Sequence, residues 1–120
     1  MKNMKFDYDC ENDSLFLYWD NGVYEFSEFL SDSIAIDFNT EKIPIGIEIL
    51  NASKKFNTEK TKLMNIIKCI VNVSIGEEKI KFSIHLNTEV HSNLTSIKPV
   101  SIVKDNDLNI PKSEINMAIT

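Results

Sequence analysis

A few side chains in this 120-residue chain are of types that can do chemistry. The first is Glu48, set within Ile43-Pro44-Ile45-Gly46-Ile47-Glu48-Ile49-Leu50. In an extended strand, alternation puts the four isoleucines on one face and Gly46, Glu48 and Leu50 on the other. If the Glu48 face is covered, the carboxyl must rise in pKa or find a lysine or backbone partner, and a perturbed carboxyl can act as general acid or base. If that face is open, Glu48 is an ordinary solvated residue. The second group is the acidic run Asp7, Asp9, Glu11 and Asp13, spaced like positions 1, 3, 5 and 7 of a calcium loop. Such a loop also needs Gly at position 6 and a bidentate Glu at 12, where this chain has Asn12 and Tyr18. The run therefore reads as a solvated turn whose Asp side chains hold backbone N–H groups.

His85 and His91 are the only histidines. His85 falls on the polar face of an alternating segment, and a zinc site would need further ligands such as Glu89 or Cys69 at a spacing the chain does not show. A Cys69–His85 nucleophile pair would require Cys69 in a polar cleft, yet it alternates in phase with Val71 and Val73 and reads as a buried thiol. No metal site and no cofactor are expected. The candidate catalytic residues are Glu48 and Asp13, in a hydrolase where they or a histidine converge in one pocket.

The aromatic residues Phe16, Tyr18, Trp19, Tyr24, Phe26 and Phe29 gather in one region. Phe16 and Tyr18 share one face of a strand, while Leu15, Leu17 and Trp19 share the other, so both faces are apolar. Either the second half of the chain covers the second face or another subunit does. Phe16, Tyr18, Trp19, Tyr24 and Phe26 are therefore the candidate partner-binding residues, since aromatic-rich, charge-poor surface is what protein interfaces use.

Composition narrows the field. A net charge of −5 and thirteen basic residues that are all lysine disfavour nucleic acid, which relies on clustered basic side chains and on the guanidinium fork. No apolar run approaches the ~18 residues that span a bilayer, so no membrane partner is expected. Two distant cysteines, with no signal-like start, predict free thiols and a cytoplasmic setting. At 42% hydrophobic and 26% charged the composition is that of a globular domain. The glycines, Gly22, Gly46 and Gly76, sit in turns or a strand and form no phosphate loop.

Period-two alternation predicts strands over 4–8, 15–19, 23–26, 34–38 and 43–50. Asp20-Asn21-Gly22 is a type I′ hairpin signal that should turn the third strand back along the second. Residues 27–33 fit either a strand or a helical turn. Pro44 lacks an N–H and places the start of its strand at a sheet edge or rim. Asn57 or Thr58 could cap a short helix with Leu63, Met64 and Ile67 on its apolar face. Cys69 to Ile75 and Ile80 to Leu86 then form a second hairpin, 90–96 is loop-like, and 100–103 and 115–119 are short strands.

Two segments carry a resemblance. Tyr8-Asp9-x-x-x-Asp13-x-Leu15-Phe16-Leu17 and Gly46-Ile47-Glu48-Ile49-Leu50-Asn51-Ala52-Ser53, with Ile36-Asp37-Phe38 between, resemble a prokaryotic family of small domains of unknown function. Its members read Y-D-x-x-x-D-x-L-Y-I and G-I-E-I-L-x-A-S, with Phe16 here standing for the usual Tyr. The resemblance covers about residues 4–55 and implies a small β-meander finished by a helical turn, without implying an activity. Residues 56–120 look like an extended, archaeal form.

The expected fold is mainly β: an antiparallel meander of about five strands, a short helix, then a hairpin and terminal strands in a two-layer or extended sheet. Residues 1–55 form the meander module, and 56–120 a helix-plus-hairpin extension packed on it within the same domain. The expected function is a small cytoplasmic protein-interaction module that self-associates or binds another protein. The alternatives are a metal-dependent or carboxylate-based hydrolase and a small-ligand-binding β domain.

Overall fold

The computed structural model describes residues 4–19 and 22–119. It is mostly strand, in two antiparallel sheets of five strands each, with two one-turn helices. In chain order the elements are β1 (Met4–Asp9), β2 (Ser14–Trp19), β3 (Tyr24–Phe29), β4 (Ile34–Asn39), β5 (Pro44–Ile49), α1 (Ala52–Lys55), α2 (Lys60–Leu63), β6 (Ile66–Ile75), β7 (Lys79–Val90), β8 (Asn93–Ser96), β9 (Val100–Asp105) and β10 (Ser113–Ile119).

The first sheet has the order β1-β2-β5-β4-β3. β5 is its centre, paired with β2 through Phe16↔Glu48 and Leu17↔Ile47, and with β4 through Ala35↔Glu48 and Ile36↔Ile47. This corrects the pairing expected from Asp20-Asn21-Gly22. β3 does not return along β2 but lies at the far edge, paired with β4 alone. The side of β2 that a hairpin would have used is taken by β5, whose isoleucines bury better there. Asp20 and Asn21 themselves lie outside the described residues. Residues 27–29 resolve as strand, and 30–33 as the bend leading into β4. Pro44 opens β5 at a shift in the β4–β5 register, where a missing N–H costs no ladder bond, so it marks a rim and not an edge.

Alternation divides this sheet cleanly. Leu15, Leu17, Ile34, Ile36, Ile47 and Ile49 face inward and are essentially solvent-free. They meet the inner face of the second sheet, where Cys69, Val71, Val73, Ile80, Phe82, Ile84 and Leu86 are equally buried, and the two layers share one core. That second sheet runs β10-β6-β7-β8, with β9 also on β7. β7 is long enough to pair with β9 over its first half and β8 over its second.

Two local expectations need correction. Residues 93–96 form a strand, not a loop, turned back from β7 by His91 and Ser92, both at positive φ (51° and 65°) as a two-residue hairpin turn requires. The helix expected after Asn57 shrinks to α2, which begins after an extended Glu59, buries Leu63 and leaves Met64 and Ile67 exposed.

One buried group is out of place in the core. Thr88 is fully buried in phase with Leu86, and its hydroxyl has no hydrogen-bond partner. An unmet buried hydroxyl is a standing cost. Thr88→Val keeps the shape and removes it, and should stabilise the fold by about 1 kcal/mol, read as a rise in thermal midpoint of roughly 3–6 °C.

Candidate functional site

The residues singled out by their chemistry separate into a structural knot and an open face. The knot is built on Asp13, which ends the β1–β2 turn in the left-handed region (φ 53°). Its carboxylate accepts from the Tyr8 hydroxyl (2.6 Å), the Ser53 hydroxyl (2.6 Å) and the Ser53 backbone N–H (3.0 Å). Its carbonyl accepts from the Ala52 N–H (2.9 Å). Burial alone would raise the Asp13 pKa, but the hydrogen bonds from Ser53 and Tyr8 outweigh it and hold the carboxyl below its usual range. The same arrangement, with burial, pushes the Tyr8 hydroxyl well up. Asp13 thus ties the first turn to α1, and every lone pair it turns inward is already engaged.

The open face is the outer side of the first sheet. Register puts Asp7, Phe16, Glu48, Ala35 and Phe29 in one cross-strand row, and Lys5, Tyr18, Gly46, Asp37 and Ser27 in the next. Gly46 is required there: a Cβ would stand 2.9 Å from the Leu17 carbonyl oxygen. The small residues Gly46 and Ala35 leave room for a connected polar chain. Tyr24 and Ser27 share a hydroxyl–hydroxyl hydrogen bond (2.9 Å), Ser27 donates to Asp37 (2.6 Å), and Asp37 shares a hydrogen bond with Glu48. That bond to Asp37, with burial and the Asp37 charge, pushes the Glu48 carboxyl up to about 7.

The aromatic candidates divide between the two sides. Tyr18 and Tyr24 are about half exposed, Phe29 joins them, and Phe16 is half-buried beside Glu48. Trp19 belongs to the core instead: it is buried and donates its indole N–H to the Pro44 carbonyl (2.9 Å). Phe26 turns inward and stacks on Phe38, ring centroids 4.9 Å apart. Strand parity assigns Trp19 to the Leu15–Leu17 face, which the second sheet covers.

The convergence needed for a hydrolase built on Glu48 with Asp13 or a histidine does not occur. Asp13 is held by Tyr8 and Ser53, and Glu48 by Asp37 and Ser27. His85 sits on the second sheet, 2.7 Å from the Ser96 hydroxyl. Burial pushes the Cys69 thiol up to about 12, an inert state. Among the described residues no group of three or more His, Cys, Asp or Glu side chains could hold a metal ion. Asp37 and Ser27 are the residues that sequence reasoning missed. Their signal was the Asn39–Lys42 turn, which sets Asp37 opposite Gly46 and so beside Glu48.

Two outcomes follow. Asp13→Ala should cost about 2–3 kcal/mol, measured by denaturant unfolding. Because the carboxyl is held low, the stability the knot supplies is present above the ordinary carboxylate range and drains away as pH falls through it. Glu48 has the opposite sign: a raised pKa favours the neutral form, so its stabilising influence is full below pH ~4.5 and is lost as pH rises through about 7. Glu48→Gln should therefore leave the thermal midpoint nearly unchanged at pH 5 and raise it at pH 8. Solvent screening of a part-exposed pair limits that rise to about 2–4 °C.

A family described as "Protein of unknown function (DUF2283)" matches residues 5–53, the span that holds both ends of the knot. A protein of Methanosarcina mazei, provisionally named a hypoxanthine phosphoribosyltransferase, is 35% identical over 109 residues, covering 91% of this chain and 87% of its own. An uncharacterized protein of Methanocaldococcus jannaschii is 42% identical over 84 residues, covering 69% of this chain and 72% of its own. No solved structure matches. The similarity to these archaeal relatives spans more of the chain than the family match does. With relatives at this identity and coverage, the chain belongs to the DUF2283 family of proteins of unknown function.

Proposed function

We propose that this protein is a non-enzymatic, cytoplasmic interaction module that binds another protein chain through the outer face of its first sheet. The observation that carries the reading is the exposure of Tyr18, Tyr24 and Phe29 on the outer face, while the second sheet buries the central residues of the opposite face. Large aromatic side chains clustered on an uncovered sheet are an interface composition. The charged residues among them are spaced along strands and not gathered into a metal or phosphate site.

The activity named for the Methanosarcina relative finds little support in this chain. Phosphoribosyl transfer needs a phosphate cradle, and the described helices are single turns with no glycine-rich loop leading into them. A carboxylate-based hydrolase has one observation in its favour, the hydrogen-bonded contact of Glu48 with Asp37, and requires that Glu48→Gln abolish a measurable hydrolysis.

The interaction reading is tested with a Tyr18→Ser/Phe29→Ser double variant. Both side chains are about half exposed, so the thermal midpoint should move by less than about 3 °C. Sedimentation at micromolar concentration and cross-linking in native-cell extract should show that this variant loses a dimer, a retained partner, or both. A parent chain that sediments as a sharp monomer and retains no partner overturns the reading.

A further inference from the structure

The chemistry of the open face specifies the kind of chain that fits it. We propose that the face takes a basic extended segment of a partner protein, with one lysine or arginine side chain lying over Asp37 and Glu48 between Tyr18, Tyr24 and Phe29. The inference rests on the reading that this face binds protein and adds what it binds.

Three observations carry it. First, among the described residues neither carboxyl group has a lysine in an ion pair with it. The ion pairs among the described residues are Lys79–Asp105 and Lys104–Glu28, and neither involves Asp37 or Glu48. Lys5 lies in the Asp37 row but on β1, with Tyr18 and Gly46 between. Second, the floor is shallow over Gly46 and Ala35 and rimmed by aromatic rings. A cation seated there meets carboxylate oxygens and ring faces together, the combination that holds ammonium and guanidinium groups. Third, charge complementarity selects the occupant. A second copy of this chain would bring its own Asp37, Glu48 and Asp7 against the same acids, on a chain of net charge −5, whereas a basic segment neutralises them. A self-repelling acid pair kept on an exposed sheet, at a cost to stability above neutral pH, is a local violation of the kind found where a protein binds something.

Seating a cation favours the ionised form of Glu48, so binding releases the proton that its raised pKa retains. Affinity should rise between pH 6 and pH 8 as Glu48 ionises. The other groups facing the pair are Ser27, Tyr24 and Tyr18, with Asp7 and Lys5 on β1 and exposed Glu25 on β3. Of these, none has an ordinary pKa in that interval, and lysine in the partner stays charged throughout.

The probes are two blocked pentapeptides, valine–lysine–valine–lysine–valine and the same sequence with norleucine for lysine, titrated into 15N-labelled protein at low salt. The lysine peptide should displace the amide resonances of Asp37, Gly46 and Glu48. It should bind about tenfold more tightly than the norleucine peptide, and more tightly at pH 8 than at pH 6. The advantage should vanish in Asp37→Asn/Glu48→Gln, and, should that variant fold poorly, the pH dependence of the parent decides alone. Equal binding of the two peptides at this face overturns the cation seat while leaving a protein-docking face. Displacements that map elsewhere, or none, overturn the cation seat, and the Tyr18/Phe29 variant then judges protein binding separately. A dimer that masks the face and resists the lysine peptide makes a second copy the occupant and also overturns it.

Discussion

The entry of β5 between β2 and β4 is the constraint on which the rest of this structure depends. A strand hydrogen-bonded on both sides and buried on one face must be isoleucine-rich inward, and Ile47 and Ile49 are fully buried. Its ladder leaves no room beside Leu17 for any residue but glycine at 46. Once β5 holds that place, β3 is displaced to the edge, and the outer surface of the sheet acquires a floor of small residues with a carboxyl on each of its two central strands. The open face is thus a by-product of core formation: the residues that fix the centre of the sheet also fix the spacing of Asp37 and Glu48.

A second constraint acts across sequence distance. The two ends of the stretch matched by the family meet at Asp13, whose carboxylate joins Tyr8 in β1 to Ser53 in α1. Those residues look reactive by type, an acid with a hydroxyl on either side, but their hydrogen bonds are mutually satisfied and point inward. These contacts close the sheet. Glu48 lies five residues before Ser53 and behaves differently, because its partner is another acid on an exposed face.

How much of this could be read from the chain depended on whether the cause was local. The β6–β7 hairpin was legible residue by residue, since Cys69 to Ile75 and Ile80 to Leu86 alternate without interruption and the observed burial follows that alternation. The pairing of β2 was not legible. Asn21-Gly22 is a strong local turn signal, but the neighbour that won, β5, lies thirty residues on. β8 was missed because Asn93, Leu94, Thr95 and Ser96 have no apolar rhythm, and its turn sets His91 and Ser92 at positive φ where Asn-Gly or Asp-Gly is the usual signal. For the site, the face of Glu48 followed from parity alone. Its partner Asp37 needed the register of a neighbouring strand, and Trp19 could be assigned to the core only once it was known which face the second sheet covers.

The sheets are made in order, and the first needs the second. Residues 4–55 contain everything required to assemble the first sheet and its knot, yet the layer that covers Leu15, Leu17, Ile34, Ile36, Ile47 and Ile49 begins only at Ile66 and reaches Leu86. At the pace of translation a nascent chain spends about two to six seconds between these points. For that time it is a half-built sandwich with its greasy side bare. Docking of the β6–β7 hairpin covers that side, and the last strand, β10, then pairs along β6.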